Sequence, residues 1–600
     1  MEEISLNDVW AANQAIKRIL LDSSTVWEAR DGLYTYFNEL DREFYYEKVG
    51  FHAMEKMNTR ACLKVMKNFL IPKNERLAGF SVLGYLWKLA RKEKVDVDPS
   101  QGFLYEFLHL FKGIIGLSGL YSKNGIVPEE ELPPFLKMYD RPAAIERSKH
   151  LDNDAEEVFS KMKRYPTGLY PEVIKRREEN KKRILKAEGA VEEDWNDYRW
   201  QLKRVARDSE RLADWVPLTD EELEGIDMAV KNRIPFGVTP YYASLMDDNT
   251  SRRYDHAIRA QVIPPLRYAK LMVEYKHDRK EQMDFMMEAD TSPIDLVTRR
   301  YPNVAILKPY NTCSQICVYC QRNWEVDEVL SPMAMAPREK IEAALDWFRE
   351  HKGIFDILIT GGDPLVMEDH ELQWILDEVE SMDNIIRVRI GTRTPVVMPM
   401  RFTRELADML LGYHKPGRRE LCIVTHFEHP YEVTPEAQAA VGRLKNKGVS
   451  FYNQQVFTLE NSRKFETCAL RMAIRWIGVD PYYLFYAKGK KGMRMYRTPV
   501  ARLLQERKEE ARFLPGLTRT DEPVFNVPRL GKCHLRAWQD HDVISILPDG
   551  CRVYEFQPWE KNITAVHPYV QRDVSIYDYL VELENRGEKY EDYKNIWWYY

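Results

Sequence analysis

Apolar residues recur at three- and four-residue spacing through "NQAIKRILLDSSTVWEA" (13–29) and "FSVLGYLWKLARKEKV" (80–95). That period predicts amphipathic helices, and it dominates roughly the first 190 residues. The most apolar long stretch, "FLYEFLHLFKGIIGLSGLY" (103–121), is interrupted by Glu106, His109 and Lys112. It reads as a buried helix with a polar edge and falls short of a membrane span. Pro133 and Pro134 break the pattern, and the Lys/Glu-rich run "EVIKRREENKKRILKAEGAVEEDW" (172–195) reads as a solvated helix or connector. From about Tyr301 the period changes. Short β-rich runs such as "NVAILKPY", "FDILITGGDP", "IIRVRIGTRTP", "LCIVTHFEHP" and "VSFYNQQVFTL" alternate with helical stretches such as "PREKIEAALDWFREHKG" and "TPEAQAAVGRLKNKG". The glycines closing those stretches read as helix C-caps. The alternation predicts an α/β fold, a parallel sheet covered by helices. Polar and Gly-rich signals sit just after the strands, where barrels place their chemistry.

Composition narrows the class. Hydrophobic residues at 44% are ample for a packed core, and 600 residues are too many for one ordinary domain. The formal net charge of −5 offers no basic excess for nucleic acid or an anionic membrane. The start "MEEISLNDVW" has no apolar signal-peptide core, and eight cysteines are too sparse for a disulfide scaffold. A soluble, cytoplasmic protein is expected.

Three cysteines carry the chemistry. Cys313, Cys317 and Cys320 form C-x3-C-x2-C directly after a β-like run. A zinc site would need a fourth ligand, and Cys533 or His534 could complete one. Three thiolates in one tight loop also suit a cubane iron–sulfur cluster with one iron left open. The spacing "CSQICVYC", followed forty residues on by "ITGGDPL", resembles the radical S-adenosylmethionine (SAM) superfamily. That resemblance implies that the cysteines hold a 4Fe-4S cluster and that Gly361, Gly362 and Asp363 meet SAM.

The likeness becomes more specific over about 365 residues. The blocks "DWNDYRWQL" (194–202), "TPYYASLMD" (239–247), "TRRYP" (298–302), "GGDPL" (361–365), "VRIGTRTPVV" (388–397), "THFEHPYEVTPEA" (425–437), "NQQV" (453–456), "PYYLFYAKG" (481–489), "RTPV" (497–500) and "VFNVPRLGK" (524–532) run in order. Together they resemble the lysine 2,3-aminomutase family, radical SAM enzymes that also use pyridoxal 5′-phosphate (PLP). The resemblance implies a partial (β/α)6-type radical SAM barrel preceded by a large helical N-terminal region. It makes Lys532 the PLP lysine and the catalytic group, in a loop "PRLGK" shorter and less Gly-rich than the family's. Arg300 and Tyr301 then belong to PLP, Arg322 to the substrate α-carboxylate, and Gln454 to the adenosyl region. A one-electron reductant of flavodoxin or ferredoxin type is implied as partner.

Two positions bear on substrate. In the lysine enzyme two aspartates clamp the substrate's distal ammonium. The corresponding positions here are Lys488 and Asn526. Replacing an acid by a cation turns about 4 kcal/mol of attraction at 4 Å and an effective dielectric of 20 into repulsion of similar size. Lysine should be rejected and a distal carboxylate favoured. The same pair is a feature of glutamate 2,3-aminomutase, so the implied reaction is L-glutamate to β-glutamate. Alternatives are the same chemistry on aspartate or lysine, or a cluster-binding protein without mutase activity. The family's C-terminal cysteine triplet, which holds an intersubunit structural zinc, has no counterpart after Cys551. That zinc is not expected, although a homo-oligomer remains possible. The sequence divides as 1–190, a helical extension of unknown role; 191–295, a helical lead-in; 296–540, the barrel with the PLP site; and 541–600, a C-terminal segment.

Overall fold

The computed structural model describes residues 1–47, 51–120, 125–126, 132–274, 284–323, 325–326, 328–489, 491–537, 539–558 and 569–600. They form two compact units. One comprises Met1–Ser160, Thr498–Phe513 and Cys533–Tyr600; the other comprises Lys161–Arg497 and Leu514–Lys532.

The second unit is built on a sheet whose strands lie side by side in sequence order. A short β1 (Val297–Thr298) pairs antiparallel with β2 (Val304–Tyr310). Then follow β3 (Asp356–Gly361), β4 (Arg387–Gly391), β5 (Glu420–Thr425), β6 (Ser450–Phe457), β7 (Val479–Tyr486) and β8 (Glu522–Val527). From β2 to β8 every neighbour is parallel. The last strand, β9 (Gly531–His534), follows β8 after three residues. Parallel strands need long crossovers. Helices Arg338–Glu350, Asp369–Glu380, Arg404–Tyr413, Pro435–Lys445 and Glu466–Trp476 supply five of them.

Strand alternation separates core from site. On β2, Ala305 and Leu307 are buried in one core with Ile357 and Ile359 of β3, Val388 and Ile390 of β4, and the helix residues Ile341, Leu345, Leu372 and Ile375. Each valine, leucine or isoleucine among them contributes about 1.5–3 kcal/mol by leaving water. The other face of the sheet is left to Lys308, Arg389, Tyr452 and Gln454, which are only half-buried. A polar inner face is therefore a direct result of the period-two pleat.

Two local expectations change. The Lys/Glu-rich run forms a helix, Pro171–Glu188, that is not a solvated connector. Val173, Ile184 and Leu185 join the barrel core, and buried Arg177 grips Glu436 through two hydrogen bonds of 3.0 and 3.1 Å. Long charged side chains can cover apolar surface with their stems, which the charge pattern hides. The helices Arg338–Glu350 and Pro435–Lys445 are capped by His351 and Asn446, and the expected glycines lie two residues further on, in the turns to the next strands.

The first unit packs helices Leu6–Ala12, Gln14–Asp22, Val26–Arg42, Ala53–Asn68, Val82–Ala90 and Gln101–Gly113 with a three-stranded antiparallel sheet, β10 (His541–Ile546), β11 (Arg552–Phe556) and β12 (Tyr569–Arg572). The periodic stretch 13–29 breaks at Ser23–Thr25 because Ser23 Oγ donates to the Ile19 carbonyl and the Thr25 side chain caps Glu28 N. The apolar stretch contributes the helix Gln101–Gly113. Its buried Glu106 accepts two hydrogen bonds from Arg552, at 2.8 and 2.9 Å. No helix among the described residues is long and apolar enough to cross a membrane.

Candidate active site

The cysteine loop leaves the end of β2 and passes beneath the end of β3. Gly362 N donates to the Tyr310 carbonyl at 2.7 Å and Asp363 N to the Thr312 carbonyl at 2.8 Å. A Cβ on Gly362 would lie 2.0 Å from the Thr312 oxygen, so only glycine permits this approach. Asp363 is buried and accepts from Thr392 Oγ1, Thr394 Oγ1, Leu365 N and Arg393 N at 2.6–3.1 Å. Its carboxylate thus ties the end of β3 to the end of β4.

Burial pushes the thiols of Cys313, Cys317 and Cys320 up, Cys320 to about 11. Thiolates at this place need positive charge, which the iron of a cluster would supply. Two donors are already aimed at the sulfurs: Arg393 Nη1 lies 2.8 Å from Cys317 Sγ, and Arg322 N lies 3.4 Å from Cys320 Sγ. Three thiols on one loop, met by N–H donors, fit an anionic iron–sulfur cluster. Cys533, the other thiol considered for a zinc site, donates to the Asp540 carbonyl.

Lys532 opens from β9 beside Tyr301. Its Nζ donates to the Tyr301 hydroxyl at 2.7 Å and lies 4.7 and 4.9 Å from the ring centres of Tyr301 and Tyr483. The short loop before it keeps a glycine-like path. Arg529 and Gly531 both have left-handed backbone, φ 65° and 89°. For arginine that conformation costs roughly 1–2 kcal/mol. Arg529 N is held by the Met286 carbonyl at 3.2 Å and its guanidinium by Asp290. A lysine between two aromatic rings, on a loop fixed at both ends, fits a covalently held PLP.

Between these two places lies a cluster of charge. The buried carboxylate of Glu288 meets Lys308 Nζ at 3.1 Å, Arg300 Nη2 at 3.2 Å and Arg322 Nε at 3.5 Å. Lys308 also meets Glu325 at 2.7 Å. Burial alone would raise the Glu288 acid, but Arg322, Lys308 and Arg300 overcome this and hold it at about 2. Arg300 and Arg322, assigned from separate motifs, therefore share one partner.

Lys488 and Asn526 are brought together. Lys488 is 9% exposed, its Nζ donates to the Asn526 carbonyl at 3.1 Å, and it lies 4.8 Å from the centre of the Phe525 ring. Burial, with Arg497 adding repulsion, pushes its ammonium well below the usual lysine range. Gln454 is half-buried on β6, where the register with β7 shifts between Asn453 and Gln454.

Sequence reasoning missed Arg393, Lys308 and Glu288. Arg393 sits in the block 388–397, whose two arginines carry no assigned role in the sequence reading. Lys308 is the one charged residue in "NVAILKPY", a signal that was there to use. Glu288 carries no local signal.

The chain matches the Radical SAM superfamily model over residues 307–436. It is 44% identical to an uncharacterised KamA family protein of Methanocaldococcus jannaschii, over 99% of this chain and 97% of that one. It is 34% identical to the glutamate 2,3-aminomutase of Clostridioides difficile, over 60% of this chain and 80% of that one. It is also 34% identical to the L-lysine 2,3-aminomutase of Clostridium subterminale, over 52% and 70%. With the cysteine loop, the open parallel sheet and the half-buried Lys532 in place, the chain belongs to the lysine 2,3-aminomutase family of radical SAM enzymes, isomerases that work with a 4Fe-4S cluster, SAM and PLP.

Proposed function

We propose that this protein moves the α-amino group of an acidic amino acid to the β-carbon, with L-glutamate as substrate and β-glutamate as product. The observation that carries the reading is Lys488, a buried cation beside Asn526. A distal carboxylate would form a charge-assisted hydrogen bond with the Lys488 ammonium, and the Asn526 amide would offer a further donor. A distal ammonium, as in lysine, would find repulsion there. The similarity to a relative named for glutamate supports the same choice.

The same reading assigns the other roles. Cys313, Cys317 and Cys320 would hold the cluster, the turn Gly361–Asp363 and Gln454 would line the SAM side, and Lys532 with Arg300 and Tyr301 would hold PLP. The bound groups supply a radical that abstracts a hydrogen atom from the substrate and a carrier for the migrating nitrogen. This chain's residues do the rest. Arg322 fixes the α-carboxylate, Lys488 fixes the far end, and the substrate is stretched between them with its β-carbon defined. Tyr301 and Tyr483 pack about the Lys532 amine. The one-electron reductant would be a small flavin or iron–sulfur protein.

The test is anaerobic reconstitution with iron, sulfide, PLP, SAM and a reductant, followed by chromatography of the products. β-Glutamate from L-glutamate is expected, with aspartate and lysine turned over far less. Turnover of lysine in preference to glutamate would refute the substrate reading.

A further inference from the structure

Arg393 is the first residue beyond β4 to point into the cysteine loop, and every part of it is held. Its main-chain N–H donates to Asp363 Oδ2 at 2.9 Å. Its Nε donates to the His426 carbonyl at 3.2 Å. Its Nη2 meets Glu432 Oε1 at 2.7 Å, the Tyr242 hydroxyl at 3.3 Å and Gln261 Oε1. Glu432 is fixed in turn, accepting from Tyr242 at 2.7 Å, Gln261 at 3.1 Å and the main-chain N–H groups of Glu428 and His429 at 2.6 and 3.3 Å. This leaves Nη1, which lies 2.8 Å from Cys317 Sγ. A guanidinium with 11% of its side chain exposed, braced on a fully buried carboxylate, is pressed against one sulfur of the metal-binding loop.

We propose that Arg393 sets the reduction potential of the cluster by donating a charge-assisted N–H···S hydrogen bond to Cys317, and that Glu432 is the positioning residue that aims it. The physical basis is general. Positive charge and hydrogen bonds at cluster sulfurs stabilise the reduced, more negative form and so raise the potential. Burial strengthens the interaction because water cannot screen it. The bracing matters because a loose arginine would spend its donors elsewhere. Asp363 brings a second coupling. It accepts from Arg393 N and also holds the Gly-Gly turn against the cysteine loop, so the turn and the cluster donor are fixed together. The rival role for Arg393 is a direct grip on the SAM carboxylate through the remaining Nη1 hydrogen.

The inference rests on the cluster being held by Cys313, Cys317 and Cys320, and the experiment separates the two. Iron content and the visible spectrum of reconstituted wild-type protein first establish the cluster; a protein without it sinks the cofactor reading itself. Reduction is then followed by electron paramagnetic resonance at a series of solution potentials, without SAM or substrate. Arg393→Met is expected to lower the reduced-to-oxidised ratio at fixed potential about tenfold, which for one electron corresponds to about 59 mV. Arg393→Lys should recover part of the loss, and Glu432→Gln should shift the ratio in the same direction by less. One exchangeable proton coupling to the reduced cluster should be lost in Arg393→Met, while that of the Arg322 main-chain N–H, 3.4 Å from Cys320 Sγ, remains. If Arg393→Met does not fold, the Lys and Gln variants carry the comparison. Unchanged potentials at full iron content would overturn the proposal, and so would a change confined to SAM affinity.

Discussion

Each unit of this protein buries a knot of arginine and glutamate, and the two knots are built differently. In the first unit Glu106 and Arg552 pair one to one. Both carboxylate oxygens are taken, and Arg552 also donates to the Trp597 and Tyr599 carbonyls. In the barrel unit three cations, Arg300, Lys308 and Arg322, surround two acids, Glu288 and Glu325. Among the described residues the count is three positive against two negative. A balanced, saturated buried pair holds structure. An unbalanced one has positive charge to offer an anion, and the proposed function assigns a phosphate to Arg300 and a carboxylate to Arg322.

The comparison can be broken at several points. The largest effects belong to the side chains proposed to hold the cofactors. Cys317→Ala should abolish cluster iron, and Lys532→Ala should abolish PLP absorbance, each taking β-glutamate formation to background. Either variant keeping full turnover would show that the site lies elsewhere.

Next is the charge at the distal end. Lys488→Asp with Asn526→Asp should shift preference from glutamate towards lysine by at least about three decades, since one contact of about 4 kcal/mol already corresponds to that much. Competition between the two amino acids in one assay measures it, and an unchanged ratio would place the distal site elsewhere.

The balanced pair should respond in stability alone. Arg552→Met leaves the Glu106 carboxylate buried without its partner and should cost about 3–5 kcal/mol. Calorimetry should show a lower Tm with turnover per folded molecule preserved. Loss of turnover at unchanged Tm would contradict the division drawn above.

Glu288 tests the unbalanced knot. Its acid is held at about 2, below the ordinary value of 4.5. A depressed carboxyl contributes stability above its unfolded value and loses it as the pH falls towards the folded one. That contribution, about 3 kcal/mol from the size of the shift, should therefore disappear between about pH 4.5 and pH 2. Glu288→Gln should flatten this acid limb in urea melts; a limb of unchanged slope would assign it to other groups.

The smallest effect is a pH slope. The Lys488 ammonium is pushed down by burial, so it loses its proton below the usual lysine range. Below that point the cation is present, and above it the charge that would meet glutamate disappears. kcat/KM for glutamate should fall with rising pH, by up to about tenfold per unit, and Lys488→Met should remove this limb. The same limb in the variant would assign it to another group.

Much of this was legible along the chain. The change from a 3.6-residue to a two-residue period near Tyr301 foretold the sheet, and the crossover helices fell where the amphipathic runs stood. The three cysteines could be read from spacing because all three lie on one loop. Other features were not local. Glu288 lies 34 residues from Arg322 in a segment with no motif, and the two meet only because β2 carries the chain back past it. The C-terminal strands and Glu106 are more than 400 residues apart, yet they share one buried ion pair.

What the sequence determined by itself was chemistry and periodicity: which atoms can bind iron, which lysine follows which turn, and which face of each strand is apolar. These depend on neighbours a few residues away. Tertiary structure alone decided which charges meet. Only the folded sheet brings Arg393 against Cys317, Lys488 beside Asn526 and three cations around Glu288. Coulomb energies depend on distance and burial, and neither quantity exists until strands distant in sequence become neighbours.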